Sequence, residues 1–318
     1  MSSGNQVGFS VVVPLYNEQG VIQLLYQRLL NVIQEFGDYE LIFVNDGSKD
    51  QTFSVLMEIA HNDPNLVVIN LSRNFGQQSA ILAGIIEATK PLVITMDGDL
   101  QDPPELIPKL LESWADGAEI VVAIKRTRRE TGIRRVLFDF FHNFFNLVTD
   151  SPTLGNSGTF GLLGPRAVNE IIKLHEHNRY FPGLRNWIGY QQAQVMYDRE
   201  ERAAGLPKQS FRNLFVMGFD ALFSFSSKPL RISWFIGILI SIVSFLYGFV
   251  LLILRILNIN VVSGFTTIAA AIFFLGGIQL ISIGVLGEYI LRIYDETKRR
   301  PNFIIDRKIT QKCLKEDF

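Results

Sequence analysis

Leu41-Ile42-Phe43-Val44-Asn45-Asp46-Gly47-Ser48-Lys49-Asp50 decides how the first half of the chain folds. Four apolar residues are followed at once by Asn-Asp-Gly-Ser, a strong turn signal, so the run reads as a short buried strand that stops abruptly. The same layout recurs on both sides. Val11-Val12-Val13 is halted by Pro14, and further apolar runs fill 66–70, 92–96 and 120–124. Helix-like segments occupy 19–36, 50–61, 77–89 and 104–116 between them. Short continuous apolar strands alternating with helices predict an α/β fold: a mostly parallel, Rossmann-like sheet with helices on both faces. In such sheets ligands sit beyond the carboxyl ends of the strands, so the polar residues after each run are the candidates for chemistry.

Composition sets the outer limits. Thirty basic and 31 acidic residues leave a net charge of −1 over 318 residues, which argues against a general nucleic-acid binder. Hydrophobic residues reach 48% and charged residues only 19%, so part of the chain is expected to avoid water. The single cysteine, Cys313, excludes an internal disulfide and a cysteine-based zinc site. The apolar surplus is local. Residues 232–254 and 256–287 hold no Asp, Glu, Lys or Arg, and each run is long enough for a span of ~20 residues. Two spans are read, at 232–254 and 265–287, joined by a short polar turn. Lys228 and Arg231 precede the first, and Arg292, Lys298, Arg299 and Arg300 follow the second. This flanking charge predicts a plasma-membrane protein with both termini and the residues before the first span cytoplasmic. Between 211 and 225, Leu214, Phe215, Phe219, Leu222 and Phe223 recur at helical spacing, which suggests an amphipathic helix in the membrane interface. Gly277 and Gly284, seven apart, would permit close helix packing and a homo-oligomer. The expected division is therefore 1–209 cytoplasmic α/β domain, 210–231 juxtamembrane, 232–290 membrane hairpin and 291–318 cytoplasmic tail.

Each strand end carries a different chemistry. Pro14-Leu15-Tyr16-Asn17-Glu18 follows the first, Asn45-Asp46-Gly47 the second, Arg73-Asn74-Phe75-Gly76 the third and Asp97-Gly98-Asp99-Leu100-Gln101-Asp102 the fourth. Asp46 can accept the N3–H of a uracil, and Gly47 permits close backbone approach. Two carboxylates one residue apart suit a hard divalent cation, Mg²⁺ or Mn²⁺, that also grips two phosphates. Alone, each motif is an ordinary turn; their succession at neighbouring strand ends is specific. Downstream, Lys125, Arg126, Arg128, Arg129, Arg134 and Arg135 face one acid, Glu130. Guanidinium forks beside a membrane suit anionic headgroups.

These motifs resemble family 2 glycosyltransferases of the polyprenyl-phosphate branch, which includes bactoprenol glucosyltransferases and dolichyl-phosphate mannose synthases. The similarity continues through Arg199-x-x-Arg202-x-x-Gly205 into the two-span tail. It implies a GT-A type fold and a metal-dependent, inverting transfer from a UDP-sugar, with glucose as the sugar, to a polyprenyl phosphate. A GDP-mannose donor and a polysaccharide acceptor are the alternatives. By position, Pro14, Tyr16, Glu18 and Asp46 would hold the uridine, with Gly47, Arg73 and Gly76 completing the donor side. Asp97 would lie near ribose and sugar, and Asp99 with Gln101 would bind the metal. Lys125, Arg126, Arg135 and Arg202 would meet the lipid phosphate. Many relatives carry an Asp in a Gly-Asp-Phe motif that is discussed as a base; here the matching stretch is Asn156-Ser157-Gly158-Thr159-Phe160. Asp97 and Asp102 are then the candidate bases by location. A phosphate acceptor, dianionic near neutral pH, needs none.

Overall fold

The structure is a computed structural model that describes residues 7–125, 157–174, 176, 180–198, 228–257 and 264–311. Arg126, Arg135, Arg202, Cys313 and the expected helix at 211–225 lie outside the described residues.

The predicted strands form as read: β1 (Phe9–Leu15), β2 (Tyr39–Asn45), β3 (Leu66–Leu71), β4 (Leu92–Thr95) and β5 (Ile120–Lys125). So do the helices between them: α1 (Ile22–Ile33), α2 (Thr52–Asn62), α3 (Gln77–Glu87) and α4 (Ile107–Ala115). Beyond β5 come β6 (Ser157–Leu163), α5 (Pro165–Lys173), α6 (Phe181–Trp187) and β7 (Gln192–Tyr197). The eight-stranded sheet runs β7-β5-β6-β4-β1-β2-β3-β8, where β8 is Ile305–Ile309. β6 and β8 run antiparallel to their neighbours and the remaining pairs are parallel.

Alternation along the central strands divides the core. Val11, Val13, Leu41 and Phe43 point to the face covered by α1, α2 and α4. Val12, Ile42 and Val44 point to the face covered by α3 and α5. Because successive side chains point to opposite faces, a strand apolar throughout needs cover on both. In α1, Ile22, Leu25, Leu29 and Ile33 fall on one stripe and are fully buried. Register then fixes where the chemistry emerges. Leu15 pairs with Asn45 and Asn45 with Asn70, so the loops after β1, β2 and β3 leave the sheet side by side.

Residues 300–311 belong to the same compact unit as the sheet, although the expected boundary set 291–318 apart as a tail. Ile309 of β8 is buried against the core, and Lys308 pairs with Glu87 at 2.7 Å. The second unit contains α7 (Lys228–Ile256) and α8 (Phe265–Thr297), which pack on each other. At 1.5 Å per residue, 29 and 33 residues extend about 43 and about 50 Å. Both helices are long and apolar enough to cross a membrane. α8 runs past the expected boundary at 290, and its last turns carry a Glu288–Arg292 pair at 2.9 Å.

Candidate active site

The floor of the site is a set of loops sewn together by side-chain-to-backbone hydrogen bonds. Asn17, in the left-handed region at φ 53°, accepts the Lys49 N–H at 2.8 Å through its side-chain oxygen. Its own N–H donates to Ser48 Oγ at 3.0 Å. Glu18 N–H donates to Thr52 Oγ1 at 3.0 Å. Tyr16 and Glu18 are half-buried there, while Pro14 is buried at the end of β1. Asn and Asp suit such turns because a short polar side chain can bond nearby backbone.

Asp46 is 3% exposed, and its carboxylate accepts Phe75 N–H at 2.7 Å and Gly76 N–H at 3.0 Å. Burial raises its pKa, against those two N–H bonds and the nearby Arg73. The acid expected to read a base thus also pins the loop after β3, each oxygen keeping a second lone pair. Gly47 has φ +60°, and a Cβ there would strike the backbone of Arg73 and Asn74. Only glycine permits that approach. Arg73 lies over the Phe75 ring at 4.1 Å and is exposed.

The loop after β4 carries the acids. Asp97 Oδ1 accepts from Gln77 Nε2 at 2.7 Å and from Thr159 Oγ1 at 2.5 Å. Its pKa is pushed up to about 6, first by burial and then by the Asp102 charge, with the Thr159 bond opposing. Leu100 adopts φ 61° with its side chain only 2% exposed. That conformation costs a non-glycine residue ~1–2 kcal/mol and is held by the core around it. Asp99 Oδ1 accepts the Gln101 N–H at 3.1 Å, which links the two residues expected to hold a metal. Gln101 is buried, and its Oε1 has no hydrogen-bond partner. A buried, unsatisfied carbonyl beside a carboxylate fits a hard divalent cation. Among the described residues no group of three or more His, Cys, Asp or Glu converges on one point.

Asp102 is 1% exposed. It accepts the Tyr197 hydroxyl at 2.5 Å through Oδ1 and the Asp97 backbone N–H at 3.4 Å through Oδ2. Lys125, expected at the lipid phosphate, has its Nζ 3.8 Å from the same Oδ1. The sequence alone does not single out Gln77, Thr159 or Tyr197 as site residues. Thr159 occupies the Gly-Asp-Phe acid position, so its location was signalled though its bond to Asp97 was not. Gln77 directly follows the quoted Arg73–Gly76 motif; Tyr197 had no signal, being the last residue of an unrecognised strand.

The model of glycosyl transferase family 2 matches residues 10–171, and that of the GtrB C-terminal hairpin matches 228–293. The chain belongs to glycosyl transferase family 2. An uncharacterized glycosyltransferase of Synechocystis sp. is 40% identical over 302 residues, covering 94% of this chain and 95% of its own. The bactoprenol glucosyl transferase of Shigella phage SfX is 40% identical over 299 residues, covering 93% of this chain and 98% of its own. Among solved structures, a mannosyltransferase from Pyrobaculum calidifontis in complex with GDP-Man and Mn²⁺ aligns over 68% of this chain and 63% of its own. Its TM-score is 0.47 at 16% identity. For this family 2 glycosyltransferase, the loops after β1, β2, β3 and β4 are the candidate active site.

Proposed function

We propose that the chain transfers glucose from UDP-glucose to a polyprenyl phosphate at the cytoplasmic face of a membrane, with inversion at the anomeric carbon. The observation that carries this reading is the chain-long similarity to bactoprenol glucosyl transferases, which extends through both the acidic loop and the hairpin. Asp99 and Gln101 would hold Mg²⁺ or Mn²⁺, whose charge would offset that developing on the leaving diphosphate. Pro14, Tyr16, Glu18, Asp46 and Gly47 line the donor side for the uridine, with Arg73 and Gly76 beside them. Asp97 keeps Oδ1 occupied by Gln77 and Thr159, which leaves Oδ2 to accept a sugar hydroxyl. Thr159 supplies no carboxylate base, and the acceptor needs none. A phosphate monoester with a second pKa of about 6 is already largely dianionic at neutral pH. One phosphate oxygen attacks C1 from the face opposite the diphosphate, so catalysis rests on positioning and charge. Arg126, Arg135 and Arg202 are the proposed partners of the acceptor phosphate.

The hairpin would keep the enzyme on the membrane that carries its lipid-linked acceptor. Lys228, Arg231, Arg292 and Lys298 at its outer flanks support cytoplasmic termini. Membranes carrying the full chain, given radiolabelled UDP-glucose, Mn²⁺ and polyprenyl phosphate, should transfer label to the chloroform–methanol phase. Asp99→Ala should lose at least about 100-fold of that activity while keeping its melting temperature. Label in water-soluble polymer, or undiminished transfer by Asp99→Ala, would overturn the reading.

A further inference from the structure

The acidic loop does not stand alone. Lys125 and Tyr197 are register partners, the last residues of β5 and β7, which run parallel side by side. Their polar ends meet at one buried carboxylate oxygen, Asp102 Oδ1, with the phenol at 2.5 Å and the ammonium at 3.8 Å. The other oxygen of Asp102 reaches back to the backbone N–H of Asp97. The Tyr197 ring is itself fixed edge-on against the buried Phe160, with centroids 5.8 Å apart. Within this bracket lies the left-handed Leu100, together with Asp99 and Gln101.

We propose that Tyr197 and Lys125 are positioning residues that preset the 97–102 loop for its metal through Asp102, and that Asp102 is not a base. This rests on the reading of Asp99 and Gln101 as the metal pair. A loop with a residue at positive φ relaxes unless its surroundings over-determine it. Asp102 supplies that constraint from inside the loop, but burying a carboxylate is costly unless it is hydrogen-bonded or paired. The phenol and the ammonium meet that need. The same two residues begin the chain segments that hold Arg126 and Arg135 on one side and Arg202 on the other. The metal loop is thereby tied to the roots of both basic segments. Lys125 then acts on the donor side, as the partner of Asp102, and not as a lipid-phosphate contact.

Tyr197→Phe removes one oxygen and keeps the ring on Phe160; Lys125→Met removes the charge and keeps the stem. Each full-length variant is to be titrated in detergent with UDP, with and without Mn²⁺, and bound Mn²⁺ followed by electron paramagnetic resonance. Tyr197→Phe is expected to weaken Mn²⁺-dependent UDP binding about tenfold, the loss for one hydrogen bond to a charged group. Binding without metal should stay within about twofold. Lys125→Met should shift in the same direction and by less, since an ammonium 3.8 Å away is a weaker restraint. Unchanged Mn²⁺–UDP binding in both variants overturns the proposal, even if the melting temperature falls. So does a raised acceptor KM in Lys125→Met with Mn²⁺–UDP binding intact, which would return Lys125 to the lipid phosphate. Wild-type protein that binds UDP equally well with and without Mn²⁺ would instead overturn the metal reading on which this one stands.

Discussion

Asp97 concentrates the electrostatics of the site in one carboxyl group. Two donors, from Gln77 and Thr159, hold its Oδ1, yet burial and the Asp102 charge outweigh the Thr159 bond and the Lys125 charge and push its pKa from 3.8 up to about 6. The sign has a consequence for stability. Between about pH 4 and pH 6 the native state keeps a proton that the unfolded chain has released, so stability falls as pH rises through that window. Asp97→Asn removes this dependence. The metal-free variant should match wild type near pH 4. At pH 7.5 it should be more stable by ~1–2 kcal/mol, a figure reduced for the partial exposure of the group. Thermal melts across pH 4–8 decide it, and parallel curves for the two proteins would sink the argument. A divalent cation beside Asp99 would draw the same proton off, so the gap should narrow when Mn²⁺ is added.

Strands such as β1 and β2 were legible because both faces are covered, and so nearly every residue in them is apolar. β6 was not. Ser157-Gly158-Thr159-Phe160-Gly161 is too small and polar to read as a strand, and it becomes one only by pairing between β4 and β5. β7 and β8 lie at the two edges of the sheet, where one side of the strand is wet and the apolar signal halves. Ile305-Asp306-Arg307-Lys308-Ile309 reads as charged tail, and charge is what an edge strand uses to avoid further pairing. The candidate site divides along the same line: its acids sat in turn motifs, while Tyr197 and Thr159 belong to the strands that local pattern could not reveal. A direct test concerns β8. Deleting 305–318 uncovers the edge of β3, removes the buried Ile309 and breaks the Lys308–Glu87 and Asn70–Asp306 contacts. The loss should be ~2–4 kcal/mol, chiefly the buried isoleucine, with aggregation on heating. A melting temperature equal to that of the full chain would mean that β8 contributes nothing.

At the scale of the whole molecule, the sheet is built from discontinuous chain: it runs to β7, is interrupted by α7 and α8, and is completed by β8. Completion of the sheet and the two long apolar helices are therefore coupled by connectivity. A chain ending before Lys228 loses both long helices and an edge strand together, so its failure would say nothing about the hairpin. Replacing residues 228–297 with a flexible Gly/Ser linker of ~20 residues separates the two, since such a linker spans ~25 Å on average. This variant should stay in solution without detergent, melt near the full-length protein and keep Mn²⁺-dependent UDP binding. Transfer to long-chain polyprenyl phosphate in vesicles should fall at least about tenfold, because the membrane no longer concentrates enzyme and acceptor in one plane. Transfer to a short, water-soluble prenyl phosphate should be retained, since the site itself is unchanged. If the linker variant used vesicle-bound acceptor as well as the full chain does, the hairpin would have no part in meeting the substrate. If it lost the soluble acceptor too, α7 and α8 would have to contribute to the active site itself.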